Sequence, residues 1–276
     1  MTQRTYPEGV TCWVDLEAAD VEEAAAFYGA LFGWTFIEVA AERRYLSAQR
    51  DGQDAAGIAQ RPQGPDSGGA DWSTYISVQD IERAADRITQ AGGRITEPPA
   101  DLGESATTAS CVDPEGIPFR LWQARGRHGA QIANAPGAWN FSDLHTTDAS
   151  AAAGFYGGAF GWVFDGLGFA TMIRQPGYGD HLAATSDPGI RERQSGDSVP
   201  PGFADAFGWL VVAGEERPHW QVTFTVADRD DAAAVAERLG ATVLSSTDTE
   251  WTRDAQLRDP QGAVFTVSQY SPSGWR

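Results

Sequence analysis

With 276 residues the chain is long enough for two domains of ordinary size, each with its own core. Apolar residues make up 42% and charged residues 21%, the proportions of a soluble globular protein, and no apolar run approaches the ~20 residues that span a bilayer. Its 38 acidic against 20 basic side chains leave a net charge of -18, which repels phosphate backbones and anionic membranes and argues against either as a partner.

The opening MTQRTYPEGV has no apolar core behind its basic residue, so a secretory leader is not expected. Cys12 and Cys111 are too few for a disulfide framework, and a reducing cytoplasm is the expected compartment. The first strand alternates over CWVDLE, with Cys12, Val14 and Leu16 on an apolar side and Trp13, Asp15 and Glu17 on the other. Asp20 and Glu23 then make a capping-box-like start to a helix. Val21, Ala24, Ala25, Tyr28, Leu31 and Phe32 give that helix its apolar stripe, and Gly33 its left-handed stop. Trp34 is read as the start of the next strand, and Phe27 and Tyr28 as core residues.

Further on, TYISV sets Thr74, Ile76 and Val78 against Ser73, Tyr75 and Ser77. Asp80 opens a second helix, with Ile81, Ala84, Ala85, Ile88 and Ala91 before Gly92-Gly93. After DPEG, a last strand sets Phe119 and Leu121 against Arg120 and Trp122. The stretch at 124–138 has no periodicity and reads as a boundary.

Beyond that boundary the chain repeats itself. FYGALFGWTF returns as FYGGAFGWVF, the second strand-helix stretch at 71–93 returns at 219–241, and DPEGIPFRLWQ returns as DPQGAVFTVSQ. The offset is 128 from Trp34 to Trp162 and 146 from Asp113 to Asp259, so copy two carries 18 extra residues net. They are placed mostly in 185–218, either as a lid bearing Phe203, Phe207 and Trp209 or as a helix and loop packed at the domain edge. Asp148 and Asp228 open the helices of this copy. Its strands set Val222, Phe224 and Val226 against Gln221, Thr223 and Thr225, and Phe265 and Val267 against Thr266 and Ser268. WNFSDLH is less clean, with Phe141, Asp143 and His145 on the side away from the helix.

Helices must cover the apolar faces, where burial is worth ~25 cal/mol per Å². The opposite faces, rich in Trp, Tyr, Ser, Thr, Arg and acid groups, have the make-up of a small-molecule pocket. Trp13, Ser73, Tyr75, Arg120, Trp122, Phe141, Gln221, Thr223 and Thr266 are the expected lining; the alternative is a solvated sheet surface.

The βαβββ unit written four times, with WVDLEAADVEEAAAFYGALFGW, AGG after the second helix and DPxG before the last strand, resembles the vicinal oxygen chelate superfamily of glyoxalases, bleomycin-resistance proteins and extradiol dioxygenases. Over roughly Glu8 to Tyr270 it more closely resembles tandem actinobacterial members, named as glyoxalases or hydroxylases, of the mycobacterial secreted-antigen type. The resemblance implies an α+β protein in which four βαβββ modules pair into two cup-shaped open barrels, at 1–128 and 129–276, with the site on the concave sheet faces. It also implies a metal-binding His on the first strand of a unit and a Glu on the last. Here those positions hold Trp13, Ser73 and Arg120 in copy one, and Phe141, Gln221 and Thr266 in copy two. Trp, Phe and Arg cannot ligate a divalent ion. No metal or other cofactor is therefore expected; a relocated set of His145, His181 and Gln221 is the alternative, and His128 and His219 read as incidental.

Without a metal, Asp15 and Glu17 in copy one and Asp143 and His145 in copy two are the candidate acid–base groups, and Arg120 could hold a carboxylate or enolate. An ion pair of Arg120 with Asp15 or Glu17 is the purely structural alternative. GxGxxG, GxxxxGK[ST] and GxSxG are absent, and GPDSGGAD reads as a loop. The readings that remain are metal-free transformation of a small planar or apolar metabolite, sequestration of such a compound, and a metal-dependent glyoxalase-type enzyme using the second domain alone. The expected partner is the small molecule, bound by a monomer or homodimer.

Overall fold

All four βα units start their helix on the same device. Asp20 accepts from the backbone N–H of Glu23, Asp80 from that of Arg83, Asp148 from those of Ser150 and Ala151, and Asp228 from that of Asp231. Each carboxylate satisfies donors that the first helical turn leaves open. Gly33 and Gly161 end the first helix of each copy in the left-handed region, at φ 70° and 76°.

The computed structural model describes residues 3–40, 44–62, 70–168, 170–196, 199–214 and 216–272; most of the GPDSGGAD stretch lies outside them. Copy one runs β1 (Thr11–Ala18), α1 (Val21–Phe32), β2 (Thr35–Ala40), β3 (Tyr45–Arg50), β4 (Gln53–Gln60), β5 (Asp71–Ser77), α2 (Ile81–Gln90), β6 (Arg94–Asp101), β7 (Ala106–Val112) and β8 (Pro118–Ala124). Copy two runs β9 (Trp139–Thr146), α3 (Ala149–Phe160), β10 (Val163–Gly166), β11 (Thr171–Arg174), α4 (Tyr178–Thr185), α5 (Ile190–Arg193), β12 (Ala206–Val212), β13 (His219–Thr225), α6 (Arg229–Arg238), β14 (Thr242–Asp248), β15 (Thr252–Arg258) and β16 (Val264–Tyr270). Trp34 precedes β2 rather than starting it.

Each copy makes one sheet of eight strands, ordered β2-β3-β4-β1-β5-β8-β7-β6 and β10-β11-β12-β9-β13-β16-β15-β14. The first and last strands of a module pair in parallel, as β1 with β4, β5 with β8, β12 with β9 and β13 with β16. This is the α+β architecture of four βαβββ modules, with open rather than closed sheets.

The extra residues of copy two lie between β11 and β12, at 175–205, which overlaps the expected 185–218 over 185–205. Copy one joins β3 to β4 through Asp51 and Gly52 alone, both at positive φ, whereas copy two inserts α4, α5 and a short 3-10 turn at Phe203–Asp205. β12 must stay out of the insertion because it is the parallel partner of β9. Tyr178, Leu182 and Ile190 of α4 and α5 are buried in the same core as Phe207, so the segment packs as helices on the domain. Phe207 and Trp209 belong to β12.

The chain forms two compact units that cut across the repeat. One holds residues up to Trp13, Thr74–Gly129 and Ser142–Trp220; the other holds Val14–Ser73, Ala130–Phe141 and Gln221 onward. In the first, Ile81, Ala84 and Ile88 of α2 share a core with Phe155, Tyr156, Ala159 and Phe160 of α3. In the second, α1 meets α6, and Tyr28, Phe32 and Trp34 gather around Phe224 and Phe265.

A tyrosine of the twice-written phrase closes each core. Tyr28 donates to Asp259 Oδ2 at 2.9 Å and accepts from Trp72 Nε1 at 3.1 Å. Tyr156 donates to Asp113 Oδ2 at 3.2 Å. The other oxygen of each Asp ties its own DPxG loop: Asp259 Oδ1 accepts from Gln261 N and Ala263 N, and Asp113 Oδ1 from Glu115 N and Ile117 N. Each tyrosine therefore bonds the DPxG loop of the other copy. Burial pushes both carboxyls above their usual range, opposed by these hydrogen bonds.

Removing a hydroxyl orphans buried partners, at about 1–3 kcal/mol. Tyr28→Phe and Tyr156→Phe are each expected to lower stability in urea denaturation by an amount in that range, because each strands a buried carboxylate of the other copy. A carboxyl whose pKa is higher folded than unfolded favours the fold at low pH and loses that contribution as pH rises through the folded value. The double variant Asp113→Asn, Asp259→Asn should therefore gain stability relative to the parent as pH rises above about 4, the ordinary carboxylate value, a trend that denaturant midpoints measured upward from there will show or refute.

Candidate functional site

In parallel register, β5 and β8 set Tyr75 opposite Arg120 and Ser77 opposite Trp122. Arg120 Nη1 donates to the Tyr75 hydroxyl at 2.9 Å, and its guanidinium lies 5.6 Å from the Tyr75 ring centroid. Tyr75 and Trp122 meet edge to face at 5.6 Å. Trp122 Nε1 donates to the Arg127 carbonyl at 2.8 Å, and the Arg127 guanidinium sits 5.4 Å from the Trp13 ring centroid.

These aromatic side chains are almost wholly enclosed: Trp13 is 2%, Tyr75 3% and Trp122 7% exposed. The face is thus not a solvated sheet surface. Nor are its rings open to solvent, because Arg127 lies over Trp13. The sequence reading gave Arg127 no role, placing it in a structureless boundary. The available signal was that a strand face bearing two indoles and a phenol needs a cover, and the boundary stretch is the nearest chain.

In the other unit, β1 and β4 run parallel with Asp15 opposite Gly57. Asp15 is 1% exposed, and the Tyr45 hydroxyl donates to its Oδ2 at 3.1 Å. A Cβ on Gly57 would stand 2.0 Å from the Tyr45 hydroxyl and 2.8 Å from Asp15 Cβ, so only glycine lets the phenol cross β4 to reach the carboxylate. Glu17, two residues on, is half-buried.

The remaining expected positions fall as follows. Ser73 and Phe141 are half-buried, and Gln221 and Thr223 are buried. Thr223 stands opposite half-buried Thr266 in the register that Tyr75 and Arg120 occupy in copy one. The same place in the second sheet therefore carries two hydroxyls instead of a phenol and a guanidinium.

Asp143 accepts the backbone N–H of Trp209 at 2.9 Å, tying β12 to β9. His145, next but one on that strand, points Nδ1 at Glu216 Oε1, 2.6 Å away. The His145 and His219 rings lie 4.6 Å apart, and His219 Nδ1 meets the Arg217 carbonyl at 2.9 Å. Burial lowers the pKa of His145, while its hydrogen bond to Glu216 opposes that shift.

The relocated set of His145, His181 and Gln221 is not what forms. His181 lies in α4, not at a strand end, and its Nε2 meets the Thr5 carbonyl at 2.9 Å. The Gln221 side chain accepts from Gln256 at 3.1 Å. His145 instead gathers Glu216 and His219, which sequence reasoning had passed over. The signal was the Glu-x-x-His spacing immediately before a strand that neighbours β9 in the sheet.

At the strand positions where related folds hold a metal, the donor set does not fit one. Indole, phenyl and guanidinium groups at Trp13, Phe141 and Arg120 offer no lone pair to an ion, and Ser73, Gln221 and Thr266 offer only neutral oxygens or an amide.

Open eight-stranded sheets of paired βαβββ modules define the glyoxalase-like class of fold. The chain belongs to the Glyoxalase/Bleomycin resistance protein/Dioxygenase superfamily, whose model matches residues 13–121, while the Glyoxalase-like domain model matches residues 141–268. Over 273 residues it is 30% identical to "Putative glyoxylase CFP32" of Mycobacterium bovis, with 97% of each chain covered. It is 31% identical to the anthracycline biosynthesis protein DauV of Streptomyces sp. strain C5, covering 95% of this chain and 94% of that one. Among solved structures, the Mn(II)-bound glyoxalase of Novosphingobium aromaticivorans is similar at a TM-score of 0.61 and 12% identity, over 98% of this chain and 83% of that one. The 2,3-dioxygenase LapB of Pseudomonas sp. KL28 gives the same TM-score at 14% identity, over 96% of each chain.

Gly57→Ala is expected to displace Tyr45 from Asp15 and to destabilise the protein by about 1–3 kcal/mol, the usual result of overpacking. A Gly57→Ala, Tyr45→Phe double variant, whose hydroxyl is gone, should recover part of that loss in the same urea titration.

Proposed function

We propose that the chain binds a small planar metabolite on the polar-aromatic strand face of its first sheet and transforms it by proton transfer, with no metal at the family's strand positions. The observation that carries this reading is the group built around Arg120. The Arg120 guanidinium stands where the family resemblance calls for a metal-binding Glu and bonds the Tyr75 phenol, whose ring meets the Trp122 indole edge to face, while the Trp13 indole lies under the Arg127 guanidinium. Flat rings between indoles and a phenol gain stacking energy, and a guanidinium holds a carboxylate or enolate oxygen. Asp15, which lies on β1 in the other unit, is the candidate base there; a buried carboxylate that accepts from the Tyr45 phenol is suited to accept a proton from carbon. Glu17 is the second acid group of that strand.

Copy two is not assigned the same chemistry. Its Asp143 is bonded to a backbone amide, and Thr223 and Thr266 replace the phenol and guanidinium. The similarity to an anthracycline biosynthesis protein supports a polycyclic aromatic substrate class. Cys12 and Cys111, both free and buried, suit a reducing cytoplasm, and among the described residues no helix is long and apolar enough to cross a membrane.

Sequestration without turnover is the second reading, supported by membership of a superfamily that includes bleomycin resistance proteins. Titration with an anthraquinone carboxylate, followed by tryptophan fluorescence and calorimetry, tests the binding. Arg120→Ala and Trp13→Ala are each expected to weaken it by about tenfold or more, equivalent to ~1.4 kcal/mol. Asp15→Asn should leave affinity within about twofold and abolish turnover in an enzyme; product formation that survives in the variant rules out Asp15 as the base, and no product from the parent leaves the binder.

A further inference from the structure

We propose that His145, Glu216 and His219 form a binding site for one divalent first-row metal ion, with Zn2+ as the reference ion. The three residues lie at the end of β9, in the connection that follows β12, and at the start of β13. They offer two imidazole nitrogens and a carboxylate oxygen that all lie within 4.8 Å of one another. His145 Nδ1 and Glu216 Oε1 are already 2.6 Å apart. Donors bound to one zinc at ~2.0–2.2 Å stand about 3–4 Å from each other, so small side-chain rotations bring all three to a common centre. The ion would take the place of the proton shared between His145 and Glu216.

The surroundings favour this use of the cluster. His219 Nδ1 is bonded to the Arg217 carbonyl at 2.9 Å, which fixes its proton there and places a lone pair on Nε2. The two rings face one another at 4.6 Å and 37°, as two imidazoles on one ion can. The side chains are partly exposed, His145 to 15% and Glu216 to 42%, so an ion can reach them. A chain of net charge -18 concentrates cations at its surface.

Two imidazoles and one carboxylate make a three-ligand set of the kind that leaves further positions open to water or substrate. The site is not at the family's strand positions, where Phe141 and Gln221 stand. It lies further along the face of β9 that carries Phe141 and Asp143, and it draws its carboxylate from the connection before β13 instead of from the last strand. The inference is independent of the reading of the first sheet, which assigns no ion.

The test is calorimetric titration of Zn2+ into untagged, chelator-treated full-length protein, with Co2+ absorption as a second readout. One ion per chain is expected. His145→Ala and His219→Gln should each lower affinity by about a hundredfold and remove the cobalt d–d bands, and Glu216→Gln should lower it by about tenfold. His181→Ala, at a helix remote from the set in sequence and bonded to Thr5, should bind as the parent does. His219→Gln and Glu216→Gln change partly exposed groups, so a folded variant is in hand even where His145→Ala fails to fold. Uptake of less than one equivalent by the parent overturns the proposal, as does binding that survives in His219→Gln or is lost in His181→Ala. Anthraquinone binding and its dependence on Arg120 do not enter this readout, so either proposal can fail alone.

Discussion

The hydrogen bond between a helix tyrosine of one copy and the DPxG aspartate of the other is the constraint on which the rest of the molecule depends. Tyr28 reaches Asp259 and Tyr156 reaches Asp113, and in each case the tyrosine is fully buried. A buried phenol left without a partner costs free energy, and a buried carboxylate left without one costs more. The two groups answer each other's need, so a copy folded without its sister would leave both exposed to that penalty. These bonds, with the shared apolar cores, accompany compact units that cut across the duplication. It also explains why the FYG phrase is written twice: the Tyr serves the other copy's loop, while the following Phe and Trp wall the pair from water.

Much of this was legible beforehand because it is local or periodic. The four Asp caps, the Gly stops and the strand alternation follow from chain geometry that operates over a few residues, and all appear where the pattern puts them. The cross-copy tyrosine bonds were not legible, since nothing local says that Tyr28 meets a residue 231 positions away. The bounds of the insertion were legible only in part, for a related reason. An offset between repeats gives its net length, but its position depends on which strand must pair with β9, and that is a tertiary fact.

The site residues divide along the same line. That Trp13, Tyr75, Arg120 and Trp122 would share a character was visible from period-two alternation. That Arg127 would cover Trp13 was not, because the stretch after β8 has no periodicity to read. His145 was singled out for its place on the strand face, yet its partners Glu216 and His219 come from a connection whose path alternation does not describe. Sequence spacing finds ligands on regular elements far better than those on the loops between them.

Comparison of the two copies shows where the fold tolerates change. On the helix side the pairs Phe27 and Phe155, Tyr28 and Tyr156, Phe32 and Phe160, Trp34 and Trp162, Trp72 and Trp220, and Asp113 and Asp259 are identical. On the opposite strand faces Trp13 becomes Phe141, Glu17 becomes His145, Tyr75 becomes Thr223 and Arg120 becomes Thr266, while Asp15 persists as Asp143. The interlocked cores keep these aromatic and Asp positions, because a change there disturbs packing in a unit built from both copies, although strand positions on the same side do change, Val14 to Ser142 and Ile76 to Phe224 among them. The opposite faces change in chemical type, so a duplicated chain can keep one architecture and give its two sheets different chemistry. The persistence of the Asp fits this division only in part. Asp143 bonds the backbone of β12, whereas Asp15 faces a glycine on β4 and takes its bond from a phenol. The same residue type is a strand tie in one copy and an enclosed carboxylate bonded by a phenol in the other, and one local difference between them is Tyr45 reaching across Gly57.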